Sequence, residues 1–193
     1  MTPLKRFLAK APQAKDNGAA MVTIRSIALI GLAGFLGAAE AHAQEVPAVQ
    51  RFDAWESVSA SADGKKICYM GSVPEKSEGD YRRRDKTAII VSHRPDEKSF
   101  DVISVEAGYS YKQGSDVTVL VGGATFTLFT DGGFAWAGDA KTDRALIETM
   151  KRGRSMVIKG ISSRGTLTTD TYSLIGFTAA HGAINAACDA ASR

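Results

Sequence analysis

Much that usually announces a function is missing from this chain. No G-x-S-x-G nucleophile elbow occurs, since "GISSRG" and "GRSMV" miss the spacing. There is no S-x-x-K, no H-E-x-x-H and no phosphate-binding P-loop. Beyond the first fifty residues no run is long and apolar enough to cross a bilayer. No repeat or low-complexity segment breaks up the remainder. Cysteine is scarce, at two residues, and histidine scarcer than its chemistry would need, at three. These absences remove the common signatures of serine hydrolases, zinc proteases and nucleotide-dependent enzymes.

What is present begins with the front of the chain. "MVTIRSIALIGLAGFLGAAEAHAQ" carries Arg25 as a positive n-region and Ile27 to Ala39 as a short apolar core. Ala41-His42-Ala43 follows as an A-x-A cleavage site. The segment predicts a cleaved secretory signal over 1–43, with Gln44 as the mature N-terminus. A start at Met21 gives a signal of ordinary length, and a start at Met1 adds a polar extension. Gln44 is not cysteine, so no lipoprotein anchor is expected there.

Export changes the charge and the redox setting. Removing 43 of the 193 residues leaves 150, enough for one domain with a sizeable core. Five of the 24 basic and two of the 21 acidic residues precede Gln44, so 19 of each remain. The formal +3 belongs to the front segment, and a balanced mature chain gives no reason to expect nucleic acid or an anionic membrane as partner. Both cysteines, Cys68 and Cys188, lie in the mature part. An even count in an oxidising compartment predicts a Cys68–Cys188 disulfide, with buried free thiols as the alternative.

After a leader at 44–50, the domain at 51–193 reads as mostly short strands. "FDAWESVSA" and "KKICYMGSV" flank an Asp63-Gly64 turn, and "TAIIVSH" and "FDVISVEAG" flank "RPDEKS". "SDVTVLV" and "ATFTLFT" meet at Gly122-Gly123, a hairpin signal, and "FAWAG" follows "DGG". In "ATFTLFT", Phe126 and Leu128 alternate with Thr125 and Thr127, predicting one buried and one wet face. "SMVIKGI" and "TLTTDTYS" make a later hairpin. Between these pairs, Ala145, Leu146 and Met150 have helical spacing, with Thr142 as cap and Gly153 beyond a basic last turn. At the end, Leu174, Phe177, His181, Ile184 and Cys188 share a helical face, with small residues between them. Eight or nine strands, one inserted helix and one C-terminal helix make an all-β chain of the β-sandwich class.

Few residues stand out as chemistry. "YRRRDK" is the densest basic run; Arg82, Arg83 and Arg84 belong either to a solvated loop balanced by nearby acids or to contact with an anionic partner. Such a partner would be a glycolipid such as lipopolysaccharide or an acidic protein surface. Tyr109 and Tyr111, two apart, form either a core pair or an exposed aromatic contact. Trp55 and Trp136 read as core anchors, with the rim of a pocket as the alternative. His93 ends a strand beside charged loop residues, and His181 sits on the apolar helix face as a hydrogen-bonded, partly buried group. A metal site needs both together with carboxylates from distant segments, so none is assigned, and no cofactor either. "FTDGG" lacks the spaced oxygen ligands of a calcium loop.

Several stretches together resemble the invasion-associated locus B (IalB) family of exported proteins. They are "FDAW", "CYMGSVPEKSEGDYRRRDKTAIIVSHRP", "DVISVEAGYSYKQGSDV", "FTLFTDGGFAWAGD" and "TYSLIGFTAAHGAINAAC". The resemblance runs from about Phe52 to Cys188 and rests on the order and spacing of all five. It implies an immunoglobulin-like β-sandwich, a periplasmic or cell-envelope location, a link in some members to host-cell entry, and no catalytic mechanism. The chain departs from members with a second Cys after the first strand, because Ala60 and Ser61 stand there.

The sequence therefore reads as a non-catalytic exported envelope protein, a binding module linked to host-cell invasion or envelope maintenance. The alternative is a small periplasmic hydrolase built from His181, Asp170 and a loop serine.

Overall fold

The structure is a computed structural model and describes residues 47–190. The signal segment at 1–43, the Met21 start and the first residues of the 44–50 leader lie outside the described residues. The compact unit that holds the described part spans Glu45–Arg193.

Eleven strands form one antiparallel sheet. They are β1 (Ala48–Phe52), β2 (Trp55–Ala62), β3 (Lys65–Ser72), β4 (Lys76–Glu78), β5 (Ala88–Arg94), β6 (Ser99–Glu106), β7 (Asp116–Val121), β8 (Ala124–Asp131), β9 (Phe134–Trp136), β10 (Ser155–Ile161) and β11 (Leu167–Ser173). Helix α1 (Ala140–Arg152) is inserted after β9, and α2 (Phe177–Ala187) follows β11. Across the sheet the order is β1-β2-β3-β5-β6-β9-β8-β7-β10-β11-β4.

The alternation of side chains explains how this sheet becomes a sandwich. Along β7 and β10 every second residue is buried, as half-buried strands require. Trp55, Met70, Ile89 and Ile103 from one half share a single buried cluster with Val119, Leu128, Met156 and Tyr172 from the other. The sheet thus folds over on its own core, and β9 joins the layers by pairing with β6 on one side and β8 on the other. Trp55 is fully buried, and its indole N–H donates to the Ser173 carbonyl at 3.0 Å, tying β2 to β11.

The nine strands read from the sequence are all present. Two edge strands are added, β4 within the charged loop and β1, which begins at Ala48 inside the expected leader. The Gly122-Gly123 turn has φ of +53° and +87°, the mirror-image turn that suits the strand twist. Thr125 and Thr127 face water, and Leu128 faces the core, as the alternation predicts.

Both helices differ slightly from expectation. α1 starts at Ala140, and its cap is Asp139, whose carboxylate accepts from the Thr142 N–H at 2.7 Å; Thr142 is the donor rather than the cap. Its buried stripe is Asp143, Leu146, Ile147 and Met150, so Ile147 takes the place expected for exposed Ala145. In the tail, Leu174 is buried but precedes the helix, while Phe177, His181 and Ile184 form the inward face. No helix among the described residues is long and apolar enough to cross a membrane.

Candidate functional site

The loop between β4 and β5 carries the basic run, and the three arginines go to different places. Arg82 and Arg83 are exposed, but Arg84 turns inward, its side chain only 6 % exposed. Its two terminal nitrogens donate to the two Asp170 oxygens, each at 2.7 Å, and its Nε donates to the Ala107 carbonyl at 2.7 Å. Ser77 Oγ donates to Asp170 as well, at 2.7 Å. A buried guanidinium demands this set of partners, because an unpaired charge in the interior is very costly. Burial opposes its charge, but the bond to Asp170 and that carboxylate's field prevail, and Arg84 holds its proton more tightly than usual. The expectation that Arg84 meets an outside partner is therefore corrected: its charge is committed within the fold.

Gly108 lets the loop reach that position. Its φ is +73°, and a Cβ there would stand 2.2 Å from the Asp85 carbonyl oxygen, so the backbones of loop and strand end touch directly. Tyr109 and Tyr111 lie beside this crossing rather than on a regular strand. Their rings meet edge to face at 5.3 Å; Tyr111 is buried in the core, while Tyr109 is half-buried. The Tyr109 ring lies 4.9 Å from the Arg84 guanidinium and its hydroxyl is 2.6 Å from Thr168 Oγ1. Burial pushes both phenols above their ordinary pKa. Tyr109 packs on Arg84 and lines the groove beside it, and Tyr111 packs in the core.

Above this pair opens a groove of about 760 Å³, walled by Tyr81, Arg82, Arg83, Tyr109, Ser110 and Arg164. Arg164 sits on the β10–β11 turn and was not singled out by the sequence, where it is one basic residue in "SSRG". Arg82, Arg83 and Arg164 make no ion pair among the described residues, and Asp80 and Asp85 share the wall. The arrangement offers three free guanidinium groups beside serine hydroxyls and an aromatic edge. It can hold an anion; it holds no assembled acid, base and nucleophile.

A second cluster joins residues the sequence kept apart. Between the pairs Ser92↔Val102 and Arg94↔Ser99, β6 spends two residues against one on β5, a bulge that leaves Asp101 at φ +60°. This directs the Asp101 backbone N–H at His93 Nδ1, 2.9 Å away. His93 Nδ1 accepts that bond, so its proton sits on Nε2, which donates to Asn185 Oδ1 at 2.8 Å. The Asn185 amide then donates to His181 Nδ1 at 3.1 Å, and His181 Nε2 donates to Asp101 Oδ1 at 2.8 Å. The hydrogen bonds run in one direction and close on Asp101. Burial lowers the His93 pKa. Asp101 is also lowered: burial acts against its charge, but His181 prevails.

His93, Asp101 and His181 do bring three ligand-type atoms within 4.8 Å of one another. The closed ring uses both nitrogens of both histidines, and a cation at His93 Nε2 would need a proton that the Asp101 N–H leaves no room for at Nδ1. The cluster reads as a joint between β5, β6 and α2. Asp101 and Asn185 escaped the sequence reading because a bulge has no signature in "SFDVIS". His181 and Asp170, the pair named for a hydrolase, bond to different partners and are not assembled.

The disulfide lies on the same helix. Cys68 pairs opposite His93 across β3 and β5 and bonds to Cys188, the residue that ends α2, with Cα atoms 6.1 Å apart. That separation meets the limit of about 7 Å for an unforced bridge.

The comparisons agree on one family. The profile of the "Invasion associated locus B (IalB) protein" family matches residues 55–185. Among solved structures, invasion associated protein B from Bartonella henselae is similar, with 16 % identity and a TM-score of 0.50. The match covers 72 % of this chain and 95 % of that one. At this identity the likeness concerns the fold. No curated protein matches. The strand order, the core and the profile, which spans β2 to the last turns of α2, lead to one conclusion: the chain belongs to the invasion associated locus B (IalB) protein family.

Proposed function

We propose that this protein is an exported, non-catalytic module of the cell envelope that binds an anionic partner in the groove beside Arg84. The observation that carries the reading is the division of labour among the arginines. Arg84 and Asp170 build a rigid, neutral floor, and Arg82, Arg83 and Arg164 stand free above it. Free guanidinium groups on a fixed scaffold suit phosphate or carboxylate oxygens. Family membership supports an invasion-associated role in the envelope, and the disulfide supports an oxidising compartment. The partner in this reading is an acidic glycolipid or an acidic protein surface of envelope or host.

The test is binding to vesicles that contain lipopolysaccharide, against neutral phosphatidylcholine vesicles. The Arg82→Ala/Arg83→Ala/Arg164→Ala variant is expected to bind about tenfold more weakly, and added salt is expected to weaken the wild type. Equal binding by variant and wild type would return the run to an ordinary solvated loop. A mature N-terminus far from Gln44 would contradict the export route.

A further inference from the structure

Phe129 and Phe134 are 48 % and 37 % exposed, whereas every other Phe, Tyr and Trp ring among the described residues is buried or half-buried. Both stand against Trp136: Phe134 stacks on it with centroids 5.6 Å apart, and Phe129 leans on its other neighbour position at 5.8 Å. The strand register puts all three on one face. Phe129 is directly opposite Trp136, and two-residue steps relate Phe134 to Trp136 and Phe129 to Asp131. The same register adds two carboxylates: Asp116 pairs opposite Phe129, and Asp131 opposite Phe134. Both are exposed and make no ion pair among the described residues. Lys159 on β10 lies further along, opposite Thr118 on β7, and marks the edge of this acidic region.

We infer that the outer face of β7, β8 and β9 is a docking surface for an arginine- or lysine-bearing segment of a partner protein. The aromatic rings offer negative π faces, which attract a cation within about 6 Å of a ring centre. Asp116 and Asp131 flank the rings and add charge-assisted hydrogen bonds to the same cation. Two exposed aromatic rings set against a half-buried tryptophan on one strand pair are costly to leave in water, so a surface of this kind marks an interaction site. Its charge is opposite to that of the groove at Arg82, so the two surfaces select different chemistry and the second does not rest on the first.

The isolated protein reports on this face by itself. It has two tryptophans; Trp55 is fully buried, and Trp136 is the one on the face. Hexa-arginine should shift or quench Trp136 fluorescence saturably, and hexaglutamate should not. The Asp116→Asn/Asp131→Asn and Phe129→Ala/Phe134→Ala variants should each raise the Kd at least tenfold, while Arg82→Ala/Arg83→Ala should leave it unchanged. All substituted side chains are exposed, so melting temperature should hold; where the Phe variant melts early, the Asn variant decides alone. Undiminished binding by the Asn variant overturns the inference. So does tighter binding of cellohexaose, which would make the face a saccharide platform, or a concentration-dependent mass in sedimentation, which would make it a self-association surface. Failure to bind lipopolysaccharide vesicles leaves this result untouched, because the groove residues are not involved.

Discussion

The two buried polar clusters solve the same problem with opposite chemistry. The Arg84–Asp170 pair is ionic and bidentate, and it fastens a long charged loop to β11. The His93–Asn185–His181–Asp101 ring runs mostly through neutral groups and fastens α2 to a bulge in the sheet. The first depends on both charges, and removing either strands the other in the interior. The second shares its task with a disulfide and with Phe177 and Ile184, so it has support on each side. The loop side is therefore brittle and the helix side redundant.

The sharpest way to break this contrast is Arg84→Ala. It leaves Asp170 buried without its cation, strips Ala107 of a donor and opens a gap between Tyr81 and Tyr109. Urea unfolding should show a loss of about 3–5 kcal/mol. Arg84→Met combined with Asp170→Leu should recover much of that, because a buried pair is replaceable by apolar groups of similar size. Arg82→Ala or Arg83→Ala, on the exposed neighbours, should change stability by no more than about 0.5 kcal/mol. If all three single changes cost the same, Arg84 is not the anchor described.

Next comes the disulfide. Cys68 and Cys188 are 120 residues apart in sequence, and closing a loop of that length is credited with about 4–5 kcal/mol at most. Cys68→Ala/Cys188→Ala should lose about 2–4 kcal/mol, since strain and residual structure reduce such values. Redundancy predicts that α2 stays docked. Hydrogen exchange should quicken in its last turn and stay slow around His181 and Ile184. Loss of protection along the whole helix would show that the ring and the apolar face cannot hold it, and the contrast with the loop side would fall.

These two clusters also mark where the sequence was readable. Alternation and turn residues disclosed nine of the strands, because period-two burial writes itself into "VTVLV" and "MVIKG". The disulfide followed from compartment and count. Arg84 could not be told from Arg82 and Arg83, because three adjacent identical residues differ only in where a long loop points them. The ring was hidden for another reason. It depends on a one-residue bulge and on contacts 80 and 92 residues apart in sequence. Residue type marked Trp136 as a core anchor or a pocket rim, yet it lies half-buried in an exposed aromatic group, since the tendency of tryptophan to be buried does not say whether another layer covers its strand.

The smallest expected effect separates two titrating groups on the helix side. Asp143 on α1 is buried, and its carboxylate accepts from the Ile103 N–H at 3.0 Å. Burial pushes its pKa up to about 6; the Ile103 bond works against this, and Asp101 and Asp139 add to it. A carboxyl raised in the fold contributes stability that is full below its unfolded pKa of about 3.9 and is lost as pH rises through about 6. Asp143→Asn keeps the acceptor and removes the charge, so the variant should be more stable than wild type by about 1–2 kcal/mol at pH 8 and equal to it near pH 4. His93 acts in the other sense. Its pKa is lowered by burial, so its contribution is present above about 6.5 and is lost as pH falls through the folded value. In the wild type the two trends oppose each other on acidification. In Asp143→Asn the His93 trend should stand alone, and melting temperature should fall more steeply between pH 7 and pH 5 than in the wild type. Parallel pH profiles for the two proteins would show that Asp143 does not titrate in this range and that its carboxylate is carried at little cost.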